Sequence, residues 1–151
     1  MIKNNGCCDL EWAKKLKELG VKQESLWWWE HHIFNGREHR KPDNVILRLE
    51  KDTKTCDGKR VEFKSDVYQK SYYSAFTISE LGEMLPYRIE NDKRRWGYIR
   101  CERVWSGEKW SISYRLPTTQ FFVGENILDY TFANAMAKML CWLIEQGRVE
   151  V

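Results

Sequence analysis

From Phe132 to Gln146 the chain places Phe132, Met136, Met139, Leu140 and Leu143 at i, i+4, i+7, i+8 and i+11, the repeat of a long helix with a broad apolar face. Ala133, Ala135 and Ala137 leave room for close packing. Asp129 or Thr131 is placed to cap its start, at Tyr130 or Phe132, and Gly147 to end it. A second helix is expected over Leu10–Leu19. Asp9 stands at its N-cap, Glu11 in its first turn and Gly20 just past its end, with a stripe of Trp12, Leu16 and Leu19 opposite Lys14, Lys15 and Lys17. Thr77 and Glu80 have the spacing of a capping box, which predicts a short helix in the stretch 74–86, stopped by Pro86.

Strands are expected between these helices. Leu26–Phe34 carries Trp27, Trp28, Trp29, Glu30, His31 and His32, followed by an Asn35-Gly36 turn and a polar loop through Pro42. Val45–Leu49 and Arg60–Tyr68 read as further strands, with a bulge or longer loop around Asp57-Gly58. Trp96–Trp105 and Trp110–Leu116 are separated by Ser106-Gly107-Glu108-Lys109, which suits a type II′ hairpin with Gly107 at the first central position. Helices and strands do not alternate as βαβ units. The reading is therefore an α+β fold, a largely antiparallel sheet packed with an N-terminal, a short middle and a long C-terminal helix, in one domain over residues 1–151.

Composition narrows the function classes. A chain of 151 residues with 42% hydrophobic content and only three Pro can bury a core without disulfides or a structural metal. No run approaches the ~18 apolar residues of a membrane span, and residues 1–6 lack the apolar stretch of a signal peptide, so a cytoplasmic location is expected. The five Cys form no C-x-x-C pair; free thiols are expected, with Cys101 and Cys141 as small core residues. Net charge is only +3, but residues 88–115 carry +4 while 116–151 carry −2. That is a mild basic region rather than the dense footprint of a dedicated nucleic-acid-binding tail.

The last hairpin carries the candidate site. A two-residue turn at Gly107-Glu108 sets Trp105 opposite Trp110 and Cys101 opposite Tyr114 on a buried face. It sets Arg100 opposite Arg115 on the other face, with Trp96 and Tyr98 further along. Two arginines face to face repel unless an anion lies between them, and the two aromatics offer surfaces on which a base can stack. The competing reading is a solvated sheet face with Glu102 neutralising one arginine. Of the other clusters, Trp27, Trp28 and Trp29 alternate faces and stay open between core and surface. His31 and His32 point to opposite faces, and His39 lies in the charged loop 37–41, so no metal centre is expected. A Glu30/His31 acid–base pair can be drawn. No P-loop, G-x-G-x-x-G, G-x-S-x-G or H-E-x-x-H motif accompanies it, so no catalytic residue and no cofactor is assigned.

Three segments, CDLEWAKKLKELGVKQES at 8–25 with the Trp run after it, AFTISELGEMLP at 75–86 and NAMAKMLCWLIEQG at 134–147, resemble a group of small proteins encoded by phages and prophages. The resemblance covers about a third of the chain and brings no catalytic residues. It implies an accessory protein acting in the bacterial cytoplasm; small phage proteins of this kind often counter host defence, some by sequestering nucleotide signals. The expected function is stoichiometric binding of an anionic, nucleotide-like small molecule by Arg100, Arg115, Trp96 and Tyr98, without turnover. One alternative is a module whose exposed Trp residues bind and inhibit a host protein, and another is a small hydrolase of nucleotides or nucleic acid. Single-stranded nucleic acid also suits the aromatics, with weak, salt-sensitive binding expected at +3. No membrane partner is expected, and self-association is compatible with all of these readings.

Overall fold

The computed structural model describes residues 6–34, 44–119 and 121–151. It is an α+β fold of three helices and two four-stranded antiparallel sheets. The helices are α1 (Leu10–Glu18), α2 (Ile78–Met84) and α3 (Phe132–Glu145). The first sheet has the order β2 (Asn44–Leu49), β1 (Trp27–Phe34), β4 (Tyr68–Ser74), β3 (Phe63–Lys64). The second runs β5 (Arg88–Glu90), β6 (Trp96–Arg103), β7 (Trp110–Arg115), β8 (Ile127–Asp129). The Asn35-Gly36 turn, the 37–41 loop and His39 lie outside the described residues.

One apolar cluster joins both sheets. Trp29 of β1, Leu16 of α1, Leu81 of α2, Ile112 and Tyr114 of β7, and Met139, Leu140 and Leu143 of α3 all belong to it. The alanines expected to permit close packing, Ala133, Ala135 and Ala137, are buried where α3 meets α1, α2 and β7. The termini of α1 and α3 are tied together: Asn134 Oδ1 accepts from Asp9 N (2.8 Å) and Asn134 Nδ2 donates to Asp9 Oδ2 (2.6 Å). Asp9 therefore acts across the core rather than by capping its own helix, which has no side-chain cap. The capping box of α2 forms as expected, with Thr77 Oγ1 accepting from Glu80 N (3.2 Å) and Glu80 Oε2 from Thr77 N (2.6 Å). No helix among the described residues is long and apolar enough to cross a membrane.

Several expectations are corrected. The strand expected over Arg60–Tyr68 shrinks to Phe63–Lys64, because Ser65 N and Oγ both bond Tyr68 O and turn the chain. The strand that pairs with β1 is Tyr68–Ser74. Around Asp57-Gly58 the chain makes the longer loop expected there, with Gly58 N donating to Thr55 O (2.9 Å) in a local turn. The 104–109 connection is not a type II′ turn. Gly107, at φ +69, closes a turn whose central residues are Trp105 and Ser106, with its N donating to Val104 O at 2.7 Å. The register moves by two residues as a result. Arg103 faces Trp110, Cys101 faces Ile112, and Arg100 faces Ser113 instead of Arg115. Trp105 is fully exposed at the tip and does not pair with Trp110, and Cys101 is exposed, because α3 packs over β7 and β8.

Candidate functional site

A register change of two residues leaves every side chain on its original face. Trp96, Tyr98, Arg100 and Arg115 thus share one face of the second sheet, although Arg115 stands opposite Tyr98. The other face carries Gly97, Ile112 and Tyr114 into the core. There Gly97 is required, since a Cβ on it would lie 2.6 Å from Val123 Cγ2 and 2.8 Å from Val123 Cβ. The helices lie on that inner side, with the Phe132 ring of α3 tilted against Trp110, ring centres 4.6 Å apart.

Pairing carries the outer face across the whole sheet. Arg88 faces Tyr98, Tyr98 faces Arg115, and Arg115 forms a bridge with Phe122. Directly paired residues project to the same side, so this is a transverse row of cation, aromatic, cation, aromatic. Trp96 is 40% exposed, with the Arg88 guanidinium 4.2 Å from its ring centre. Tyr87 meets Tyr98 edge-on at 5.4 Å, and the Arg115 guanidinium lies 4.9 Å from the Phe122 ring. Arg115 also donates from Nε to Ser113 Oγ (3.2 Å) and pairs with Glu102. Arg100 is exposed, and among the described residues no ion pair or hydrogen bond engages it. The carboxylate expected to neutralise one arginine does so, at Arg115, and leaves the other arginine available.

Sequence reasoning missed a second polar cluster, on the outer face of the first sheet. Glu30 is only 4% exposed, and its partner is His32, not His31. His32 Nε2 lies 2.6 Å from Glu30 Oε1, and His32 Nδ1 lies 2.7 Å from the Tyr68 hydroxyl. Arg48 Nε is 2.9 Å and Lys70 Nζ 3.9 Å from Glu30 Oε2. Burial alone would push the Glu30 carboxyl up; the His32 hydrogen bond and the charges of Lys70 and Arg48 outweigh it and hold the group below its usual value. Glu30 and Tyr68 thus hold the His32 ring at both of its nitrogens. Farther along this face the Arg60 guanidinium covers Trp28 at 3.3 Å, held by Thr53 (2.8 Å) and Glu50 (3.4 Å). Strand alternation, which puts residues 30 and 32 on one face, was the available signal.

Trp29 is core, Trp28 is buried on the outer face beneath Arg60, and Trp27 is half-buried. Among the described residues, no group of three or more His, Cys, Asp or Glu comes together that would hold a metal ion. Burial raises the Cys7 thiol to about 11 and the Cys8 and Cys141 thiols to about 12, the environment of inert structural cysteines. No family model, curated protein or solved structure matches this chain.

Proposed function

We propose that the outer face of the second sheet binds an anionic, base-bearing ligand, nucleotide-like in its chemistry, without turnover. Arg100 and Arg115 take the phosphate, with Arg88 beside them, and Trp96 and Tyr98 stack on the base. The observation that carries this reading is a sheet face on which cations alternate with aromatics, with Arg88, Trp96 and Arg100 exposed and Arg100 unengaged among the described residues. Arg115 exchanges one anion for another when ligand binds, since its Glu102 partner is close to half exposed and readily rehydrated.

The biological setting in this proposal is the one implied by the resemblance: a phage-type accessory protein in the bacterial cytoplasm that withdraws a nucleotide signal from host defence. Hydrolysis is the weaker reading. In the Glu30–His32–Tyr68 cluster both carboxylate oxygens, both ring nitrogens and the hydroxyl are already engaged with one another or with Arg48 and Lys70. Calorimetry with a nucleotide panel tests the proposal on wild type, Arg100→Ala and Arg115→Ala. Affinity weakened in both variants is expected; unchanged affinity in both overturns the site.

A further inference from the structure

We infer that the ligand of this face is a single strand of nucleic acid several nucleotides long, rather than an isolated nucleotide. The inference rests on the anionic, base-bearing ligand and the residues of the reading just given, and puts a strand in place of the small nucleotide signal.

Shape is the first argument. Arg88, Tyr98, Arg115 and Phe122 span three strand spacings, about 14 Å. Arg88, Trp96, Arg100 and Phe122 in and beside this row are exposed on an open surface. A single nucleotide there stacks on one ring and meets one or two guanidinium groups. A strand laid along the row places successive bases on successive rings, and each further stacked base multiplies affinity by roughly tenfold.

The spread of charge is the second argument. A compact polyphosphate is best held by cations converging on one point. Here Arg88 and Arg115 are separated by the whole width of β6, and Arg100 sits two residues along from Tyr98. Cations at intervals, with an aromatic between them, follow a polymer whose phosphates and bases alternate. Lys93, Arg94 and Arg95, all exposed on the β5–β6 turn, extend the track beyond the sheet. The charge of +4 over residues 88–115 is modest, which matches a short footprint of two or three phosphates.

Selectivity follows from the same groups. The row consists of guanidinium groups and ring faces, and Ser113 and Ser111 beside it are buried, with Ser111 bonded to Asn126 at 2.6 Å. Ring faces accept any base, so sequence preference is weak. A duplex hides its base faces in its own stack and leaves the rings without a partner.

Fluorescence anisotropy on the full chain tests this. The probes are end-labelled homopolymers of two, four and eight nucleotides in ribose and deoxyribose series, an eight-base-pair duplex, and unlabelled mononucleotides as competitors. Affinity is expected to rise at least tenfold from two to eight nucleotides. Raising salt from 50 to 200 mM should lower it by about 7–20-fold, as neutralisation of two or three phosphates requires. Tyr98→Ala should weaken binding at least fivefold at all salts. Arg100→Ala should weaken it and flatten the salt slope by about 0.7, with an unchanged melting temperature as the folding control. Binding in either sugar series supports the inference, and the ratio between them assigns RNA or DNA. Duplex binding as tight as single-strand binding overturns it. Mononucleotides competing as strongly as the octamer overturn it while leaving nucleotide binding at this face intact. Binding of neither overturns both readings and leaves the exposed aromatics to a protein partner.

Discussion

On the outer face of the first sheet, Glu30, His32, Tyr68, Arg48 and Lys70 close on one another, and Arg60 lies flat over Trp28. On the outer face of the second, Arg88, Arg100 and Arg115 stand among Trp96, Tyr98 and Phe122, with Glu102 paired to Arg115 and Glu90 exposed opposite Trp96. Both faces are antiparallel sheet and both carry arginine beside aromatic rings. They differ in what is left over. A buried carboxylate must be paired, and Glu30 gathers three partners, a hydrogen bond from His32 and the charges of Arg48 and Lys70. On the second sheet Arg115 is held by Ser113 and Glu102, whereas Arg100 is exposed and unengaged among the described residues. In the proposed reading the Glu30 cluster serves stability, while the arginines of the second sheet meet the ligand.

The largest effect expected of any variant falls on the first sheet. Glu30→Ala leaves His32 and Arg48 without their acceptor and should cost about 3 kcal/mol in denaturant unfolding, with ligand affinity unchanged in the fraction that stays folded. If the loss is under about 0.5 kcal/mol, the cluster is not structural and the contrast between the faces fails. Gly97→Ala comes next. It drives a methyl group into Val123 and should cost about 1–3 kcal/mol, and it should also weaken binding by shifting Trp96 and Tyr98 on either side.

The pH dependence follows from the depressed Glu30 carboxyl. Its folded value lies below its unfolded one, so its contribution is complete above pH about 4.5 and is lost as pH falls through the folded value. Unfolding midpoints measured from pH 6 to pH 2 should show this loss, and Glu30→Gln should flatten the acid limb. Arg100→Ala should change stability by less than about 0.5 kcal/mol while weakening ligand binding, the opposite pattern to Glu30→Ala. The smallest effect is chemical: in the native protein Cys56 and Cys101 should react with a maleimide, while Cys7, Cys8 and Cys141 should react only after unfolding, as counted by mass spectrometry.

Much of this contrast was legible locally. Apolar spacing marked α1 and α3, Thr77 and Glu80 marked α2, and strand parity placed Trp96, Tyr98, Arg100 and Arg115 on one face. What escaped depends on contacts between distant residues. Tyr68–Ser74 contains no aliphatic residue, and only pairing with β1 and burial of Tyr72 and Ser74 make it a strand. The hairpin register escaped because Gly107 supplies positive φ equally well at the start of a type II′ turn or at the close of the turn it forms. Asp9 read as a local cap because its partner Asn134 lies 125 residues away. The Glu30–His32 pair needed only strand alternation, but its closure needed Arg48 from β2 and Tyr68 and Lys70 from β4.

The central claim, that one outer face is closed and the other receives ligand, is tested most directly by an amide-resolved NMR titration with an eight-nucleotide single strand. The account predicts shifts along residues 88–90, 96–103, 110–115 and at Phe122, with residues 27–34, 44–49 and 68–74 unmoved. Shifts gathered around Glu30, His32 and Tyr68, with the second sheet still, would contradict it.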